Sequence, residues 1–418
     1  MKTRMPGSGN EWQAHWPLLL SATMGVSFAA IPLATMGVFM APLQDAFGWT
    51  RTEISAGLTL FAFITLPFMP LAGMLVDRFG SRRVALPGLL LSSLAFAAFS
   101  LQTGSLVLWF VTWVAYTLAS LSASILVWSS SISSAFRHNR GLALALLLCG
   151  NALTQAFAPL ASLWLIDAFG WRIGYIALAG GWGGSTLLLA ALFFRHEGET
   201  GAAVPARDQV APTEPGGLSV PQALRSLPLY RIALATFLQT TLSAATVVHL
   251  IPMLTSLGQT RADAASFVVI FALAAIAGKL LTGWLVDRLD AAWLPSLCYA
   301  GPGISFFLLL NGAGSPTLLL TAIAVLGYCS GASLQLTTYL TTCFAGLRNF
   351  ATIFGIVSTV MALAGGLGPV LGGLVFDYYG GYIPLLTAGM FTACAAGLCV
   401  LGLGRYPEFR QRPVPNAA

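Results

Sequence analysis

The sequence predicts an all-α membrane protein with twelve transmembrane helices in two six-helix bundles and with both termini in the cytoplasm. Three features lead to this prediction: an apolar composition, an internal repeat, and the sidedness of the positive charges. Of the 418 residues, 57% are hydrophobic and only 8% are charged, whereas a soluble domain carries roughly 25% charged residues. The chain therefore has too much apolar surface for a soluble protein.

Apolar runs long enough to cross a bilayer recur along the whole chain. A transmembrane helix needs about 20 apolar residues, and backbone groups in lipid must be hydrogen-bonded internally. Each run is therefore predicted to be a helix. We number them spans 1 to 12, and they cover approximately 16–43, 53–76, 84–102, 105–133, 141–166, 173–194, 229–256, 264–286, 293–311, 315–343, 350–376 and 382–404.

The longest polar segment divides the spans into two sets of six. We expect an N-terminal bundle over residues 1–194, a cytoplasmic linker over 195–228 and a C-terminal bundle over 229–418. Proline, glycine and charged residues dominate the linker, which favours a flexible chain. Its last part, SVPQALRSL, predicts a short helix with Ser219 as N-cap and Pro221 in the first turn.

The two halves repeat at a constant spacing of 210 residues, which links GMLVDRFG at Gly73 to GWLVDRLD at Gly283. Four further matches share the spacing: FGWTRTE (47–53) with LGQTRAD (257–263), DAFG (167–170) with DYYG (377–380), Pro42 with Pro252, and Pro159 with Pro369. One ungapped spacing for all of them indicates a tandem duplication of a six-helix unit.

The positive charges predict the orientation. With the N-terminus inside, the inward segments and termini carry 16 lysines and arginines, and the outward loops carry three, namely Arg51, Arg172 and Arg261. By the positive-inside rule both termini are cytoplasmic. We expect a multi-pass protein of the inner (cytoplasmic) membrane.

Lys279 is the most unusual residue, because it is one of only two lysines and lies inside span 8. It precedes Asp287 by eight residues, roughly 12 Å along a helix, which is too deep for snorkelling. All 14 acids fall in loops or at helix ends. An intramembrane charge indicates a functional site. The alternative is a lysine held by backbone carbonyls for structure.

Four other side chains inside the spans can contribute to such a site. His249 lies in the outer half of span 7, and Tyr116, Tyr328 and Asn151 lie near mid-depth. Each can donate a hydrogen bond to a carboxylate, and each can equally link helices. No C-x-x-C pair, nucleophile–base pair, phosphate loop or metal-ligand cluster occurs in the spans. We therefore expect that the protein is not an enzyme and has no catalytic residue. We also expect that it binds no metal, cofactor or nucleic acid.

The segment GMLVDRFGSRR (73–83) resembles the signature loop of the major facilitator superfamily, and 283–290 is a weaker copy. A carboxylate at a helix end can pair with arginines and latch a cytoplasmic gate. The alternative is ordinary anchoring by positive charge. The gate residues on this resemblance are Gly73, Asp77, Arg78, Gly80, Arg82, Arg83, Asp287 and Arg288.

Two further stretches, FGWTRTEISAG (47–57) and FRHNRGLALALLLCGNALTQAFAP (136–159), resemble the monocarboxylate porter family and its bacterial relatives, including oxalate:formate exchangers. The resemblance implies a rocker-switch carrier of short carboxylates. The position of Lys279 resembles that of the substrate-binding arginine in this family. A lysine offers a single point charge, whereas an arginine offers two parallel hydrogen-bond donors. Span 11 lacks the second cation of the oxalate exchangers, which favours monoanions over oxalate.

These observations predict proton-coupled symport of an L-lactate- or pyruvate-like monocarboxylate by a monomer in the lipid bilayer. Substrate binding is assigned to Lys279, His249, Tyr116, Tyr328 and Asn151, and proton coupling to Lys279 and His249. Because desolvation disfavours a charged lysine and a bound carboxylate favours it, anion binding and proton uptake are linked. Two alternatives stay open: organic anion exchange of the oxalate/formate type, and an anion receptor that does not transport.

Overall fold

The computed structural model describes residues 8–136, 140–194, 217–288, 293–312, 315–346 and 348–403. In these ranges the chain forms sixteen α-helices and no β-strand. Most of the predicted linker, 195–216, lies outside the described residues, as do both chain termini. The assignment of 1–194 and 229–418 to two bundles stays a prediction.

The first half of the chain forms nine helices. A 3₁₀ turn, Ala98–Leu101, follows the fourth helix, and a π turn, Ala179–Gly183, joins the last two. The helices are α1 (Ser8–Ala29), α2 (Ile31–Phe47), α3 (Arg51–Phe79), α4 (Ser81–Ala97), α5 (Leu106–Leu121), α6 (Ile125–Ala135), α7 (Arg140–Phe169), α8 (Trp171–Leu178) and α9 (Gly184–Phe193).

The second half begins with a short helix and continues with six long ones. The short helix is the one predicted from SVPQALRSL, and Gln222 Oε1 accepts a bond from the Ser219 backbone N–H at 2.9 Å. The helices are α10 (Val220–Ala223), α11 (Leu227–Ser256), α12 (Arg261–Arg288), α13 (Leu294–Asn311), α14 (Pro316–Ala345), α15 (Phe350–Tyr379) and α16 (Ile383–Val400).

The described residues contain eleven helical segments long and apolar enough to cross a membrane. The fourth predicted span, 105–133, is wrong as one continuous helix, because the chain breaks between Leu121 and Ile125 into α5 and α6. Serines alternate through the break, at Ser120, Ser122 and Ser124. Serine side chains compete for backbone hydrogen bonds and favour turns over helix interiors. The Trp128 indole N–H donates to the freed Ala123 carbonyl at 2.9 Å.

The repeat seen in the sequence recurs in the local backbone. Gly48 and Gly258 have φ of 70° and 90°, and Gly170 and Gly380 have φ of 83° and 72°. Both pairs are 210 residues apart, and glycine adopts this left-handed conformation at no steric cost. The repeated prolines lie inside the paired helices α2 and α11, and α7 and α15.

The chain clusters into two compact units. Unit 1 comprises Met1–Thr200 and Val247–Ala272, and unit 2 comprises Gly201–Thr246 and Leu273–Ala418. The core of unit 1 is rich in large aromatic side chains, among them Trp109, Trp113 and Trp128, each at most 1% exposed. The core of unit 2 is built mainly from aliphatic residues of α11, α13, α14 and α16. Large rings fill volume and bury much apolar area in unit 1.

Candidate functional site

Lys279 lies deep along α12. The helix runs from Arg261 to Arg288, so Lys279 is about 27 Å from its first residue and about 14 Å from its last. The side chain is half-buried. Within the part of the chain that the structure describes, Lys279 makes neither a hydrogen bond nor an ion pair. Its ammonium group is therefore available to an anion.

The exposed apolar face of α12 does not include Lys279. Leu273, Leu280 and Trp284 are 59%, 64% and 50% exposed, as expected of side chains in contact with lipid. These three lie about 100–140° around the helix from Lys279, since each residue advances about 100°. Ala275 and Thr282 lie about 40° and about 60° away on the other side. Lys279 is thus at the edge of the face that packs against protein.

Small residues bring α12 against α14 beside this lysine. A methyl group added at Gly278 would overlap the Tyr328 carbonyl oxygen, and one added at Gly331 would overlap the Ala275 carbonyl oxygen. Such close backbone approach between membrane helices requires glycine or another small residue. The two glycines therefore allow a close crossing of α12 and α14 at the turn that carries Lys279.

Tyr328 is fixed by this crossing. The buried Thr282 hydroxyl donates to the Tyr328 hydroxyl oxygen at 2.9 Å. Since the Thr282 side chain supplies the hydrogen, the phenolic hydrogen of Tyr328 remains a donor for another acceptor. Among the predicted site residues of unit 2, Lys279 and Tyr328 are therefore brought to one place, with a cation on α12 and a hydroxyl donor on α14.

Unit 2 also holds a polar residue that the sequence analysis missed. Gln239 of α11 is only 2% exposed, and its Oε1 atom is buried without a hydrogen-bond partner among the described residues. A buried amide oxygen without a partner costs free energy. Its position in the middle of an apolar span is the sequence signal that could have found it. One turn further along α11, the Ser243 hydroxyl is paired with the Ser330 hydroxyl at 2.8 Å.

Tyr116 lies in the aromatic core of unit 1. It is 1% exposed, and its ring centroid is 5.9–6.2 Å from those of Phe61, Phe96, Phe99 and Trp113. Rings at these separations stabilise one another by about 0.5–1.5 kcal/mol per pair. Packing alone accounts for this environment of Tyr116, and a substrate role for its hydroxyl stays a prediction.

His249 and Asn151 belong to unit 1 as well. The His249 side chain on α11 is fully buried, at 0% exposure. Asn151 on α7 is exposed, and it follows Gly150, whose added methyl would overlap the Thr23 carbonyl oxygen of α1. The structure thus places one of the two in a closed interior and the other at a surface of its helix. Their roles in binding and proton coupling stay predictions.

The gate motif forms the turn between α3 and α4. Gly80 has φ of 81°, and this conformation favours glycine. Arg82 Nη2 donates to the Ala191 carbonyl near the end of α9 at 2.9 Å. Cations stabilise the carbonyl end of a helix. The side chains of Asp77 and Asp287 lie outside the part of the chain that the structure describes, as do the surroundings of Gly73, so the latch formed by Asp77 stays a prediction.

Two arginines of the motif and its copy rest on aromatic rings. The Arg78 guanidinium carbon is 5.4 Å from the centroid of Phe79, and that of Arg288 is 4.6 Å from the centroid of Trp284. A guanidinium over a ring face within about 6 Å is attracted by the ring quadrupole. The two halves therefore hold their motif arginines by a similar contact.

Comparisons with known proteins agree with this architecture. The fold defines a multi-pass helical membrane protein. A family model described as the Major Facilitator Superfamily matches residues 22–258 and 232–418, and the chain belongs to this superfamily. Among solved structures, a crystal structure of the peptide transporter POT has a TM-score of 0.74 at 15% identity and covers 96% of each chain. That likeness shows the fold alone.

Individual relatives show which members of the superfamily the chain resembles. The chain is 26% identical over 412 residues to "Monocarboxylate transporter 13" of Rattus norvegicus, covering 96% of this chain and 90% of that protein. It is also 26% identical over 451 residues to "Gallate transporter" of Pseudomonas putida, covering 96% and 94%. The predicted resemblance to the superfamily and to its monocarboxylate carriers is confirmed. These relatives are transporters rather than enzymes.

Proposed function

We propose that this protein carries short monocarboxylates across the cytoplasmic membrane together with a proton, and that Lys279 binds the carboxylate. The observation that carries the proposal is the half-buried Lys279, which has no hydrogen-bond or ion-pair partner among the described residues. Polar groups inside a membrane are costly and mark substrate pathways. The similarity to proteins named monocarboxylate transporters supports the same class of substrate.

One cation suits one carboxylate. Charge-assisted hydrogen bonds between an ammonium and a carboxylate are the strong ones in proteins, and Tyr328 adds a hydroxyl donor on the neighbouring helix. A dianion would leave one charge uncompensated at this site. The proposal therefore favours lactate- and pyruvate-like anions over oxalate, and it assigns no role to a cofactor or a metal.

Charge neutrality couples the anion to the proton. A carboxylate bound to the Lys279 ammonium forms a neutral pair, and the loaded carrier then moves between its two conformations without carrying net charge at the site. The empty carrier returns after both the anion and the proton have left it. Buried charges without partners are costly, which disfavours return of the empty site in the charged form. His249 is proposed as a second group in proton transfer.

The carrier works in the membrane by alternating access. Both termini are cytoplasmic, as the 16 inward and three outward cations favour. The two six-helix bundles rock about the site, as is general for carriers built from repeats. The motif at Asp77 and its copy at Asp287 close the cytoplasmic side. One monomer contains the complete path.

Flux into proteoliposomes tests the proposal. Radiolabelled L-lactate and pyruvate are offered with an inward proton gradient, without a gradient, and with a protonophore. We expect uptake that rises with the gradient and collapses with the protonophore. Lys279→Gln should abolish uptake, whereas Lys2→Gln, which changes the chain's other lysine, should not. Uptake that is indifferent to the gradient would contradict symport.

The same vesicles distinguish two alternatives from symport, namely anion exchange and anion binding without transport. Counterflow from vesicles preloaded with one anion, at equal pH on both sides, would support an organic anion exchanger. Specific binding with no flux in either assay would support a receptor.

Aromatic monocarboxylates are a second substrate candidate. The chain is 26% identical to proteins named "Gallate transporter" and "3-(3-hydroxy-phenyl)propionate transporter", each match covering 96% of this chain. Such acids also carry a single carboxylate for Lys279. Competition of unlabelled benzoate and 4-hydroxybenzoate against labelled lactate distinguishes the candidates, because an aromatic-acid carrier would be inhibited at much lower concentrations of the aromatic acids.

A further inference from the structure

A pocket in unit 1 lies at the opposite end of α3 from the gate motif. Its lining includes Pro42, Arg51, Pro252, Thr255 and Arg261. Arg51 is the first residue of α3 and Arg78 is close to its last, so the pocket and the motif are about 40 Å apart along the helix.

The two arginines of this pocket are equivalent residues of the internal repeat. Arg51 and Arg261 are 210 positions apart, and each is the first residue of its helix, α3 and α12. The duplication therefore supplies one cation from each half of the sequence, and both line the same cavity. Neither belongs to the gate motif or to the Lys279 site.

The acidic side chains in the first turns of α3 and α12 form hydrogen bonds to other groups than the two arginines. The Glu53 carboxylate accepts the Thr50 backbone N–H at 2.8 Å and the Thr50 hydroxyl at 2.9 Å. The Asp263 carboxylate likewise accepts the Thr260 hydroxyl at 2.7 Å. These are capping interactions, which satisfy free backbone and hydroxyl donors at a helix start. Neither Glu53 nor Asp263 lines the pocket, whereas both arginines do.

The arginines are also positioned for an anion. Arg51 Nε donates to Gln44 Oε1 at 3.2 Å, which orients its planar guanidinium. Arg261 is exposed and has no hydrogen bond or ion pair among the described residues. Guanidinium groups present paired donors that match the two oxygens of a carboxylate.

We infer that this pocket is a second anion site, which takes the substrate carboxylate between Arg51 and Arg261 before it reaches Lys279. The inference rests on the proposed function and adds to it a recruitment step at the face opposite the gate motif. Paired cations at the mouth of a path raise the local anion concentration and the rate of association. The site needs only a carboxylate, so it serves aliphatic and aromatic monoanions alike.

Kinetics of the single variants test the recruitment step. Arg261→Gln should raise KM for uptake about tenfold at low ionic strength with Vmax unchanged, and Arg261→Lys should restore most of the loss. Added salt should shrink the difference between wild type and Arg261→Gln, because exposed charges are screened. A lowered Vmax with a difference that salt does not change would overturn the inference and assign Arg261 to structure.

Equilibrium binding separates this inference from the proposed function. Radiolabelled lactate and benzoate are titrated onto purified wild type, Lys279→Gln, and Lys279→Gln combined with Arg261→Gln. We expect a weak saturable site to remain in Lys279→Gln and to disappear in the double variant. Equal residual binding in both variants would overturn the pocket while leaving Lys279 as the substrate site. Binding to Lys279→Gln that equals wild type would instead contradict the proposed function.

Discussion

The Thr282 hydroxyl donates to the Tyr328 hydroxyl at 2.9 Å and joins α12 to α14 within one turn of Lys279. The bond lies beside a glycine-mediated crossing at Gly278 and Gly331. Close packing and a hydrogen bond therefore act on the same helix pair. Together they hold the backbone that carries the lysine, and they leave the phenolic hydrogen of Tyr328 as a donor for another acceptor.

A double-mutant cycle at this pair should show direct coupling. Thr282→Val and Tyr328→Phe each remove one partner, and the coupling free energy between them should be about 0.6 kcal/mol, the average for hydrogen bonds between membrane helices. Unfolding of the purified protein in mixed micelles measures it. Tyr328→Phe should also raise KM for transport, whereas Thr282→Val should affect KM less. A coupling free energy of zero would mean that the bond is not formed.

Glycine at position 331 should be essential for the helix crossing. Gly331→Ala would place a methyl group onto the Ala275 carbonyl oxygen, and a backbone atom cannot move aside without displacing α12. We expect a loss of 1–3 kcal/mol in the free energy of unfolding, typical of overpacking, and loss of substrate affinity. Gly283→Ala is the matched control, because a methyl there meets open space. Equal Tm values for the two variants would contradict the packing described here.

Arg82 should stabilise the helix end that it contacts. Arg82→Gln removes the donor to the Ala191 carbonyl and the positive charge at a helix C-terminus, which together contribute about 0.3–1 kcal/mol. We expect a lower Tm, partly restored in Arg82→Lys, since a lysine keeps the charge and can reach a carbonyl. The comparison is made by thermal unfolding at low salt. A Tm for Arg82→Gln equal to wild type would show that the contact is not stabilising.

Much of the fold could be predicted from the sequence, because its signals are strong ones. Uninterrupted apolar runs leave helix as the available structure, and the constant spacing of 210 residues predicted related backbones. The shared left-handed conformation of Gly48 and Gly258 agrees with it. The break between α5 and α6 was not predicted, because the small serines there barely lower the hydropathy of the run. Whether they end a helix depends on tertiary partners such as the Trp128 indole.

The site could be predicted only in part. The sequence singled out Lys279 by its charge, and it gave Tyr328 a matching depth, but it could not show that Thr282 bonds to Tyr328. Helix rotation decides which faces meet, and it also determines that Asn151 is exposed and Tyr116 is packed among rings. Arg51 and Arg261 were counted only as outward charges. The sequence shows that they are equivalent positions of the repeat, but it could not show that they line one pocket, because that depends on tertiary packing.

Binding of a short carboxylate to wild type and Lys279→Gln tests the central claim most directly. Thermal unfolding is followed with increasing L-lactate, pyruvate or acetate, and Lys2→Gln serves as the matched control. A ligand at 100 times its Kd stabilises a protein by about 2.7 kcal/mol. We predict that this stabilisation moves to ligand concentrations about ten- to a hundredfold higher in Lys279→Gln, the loss expected for a charge-assisted hydrogen bond. The same concentration dependence in wild type and Lys279→Gln would contradict the assignment of the carboxylate site to Lys279.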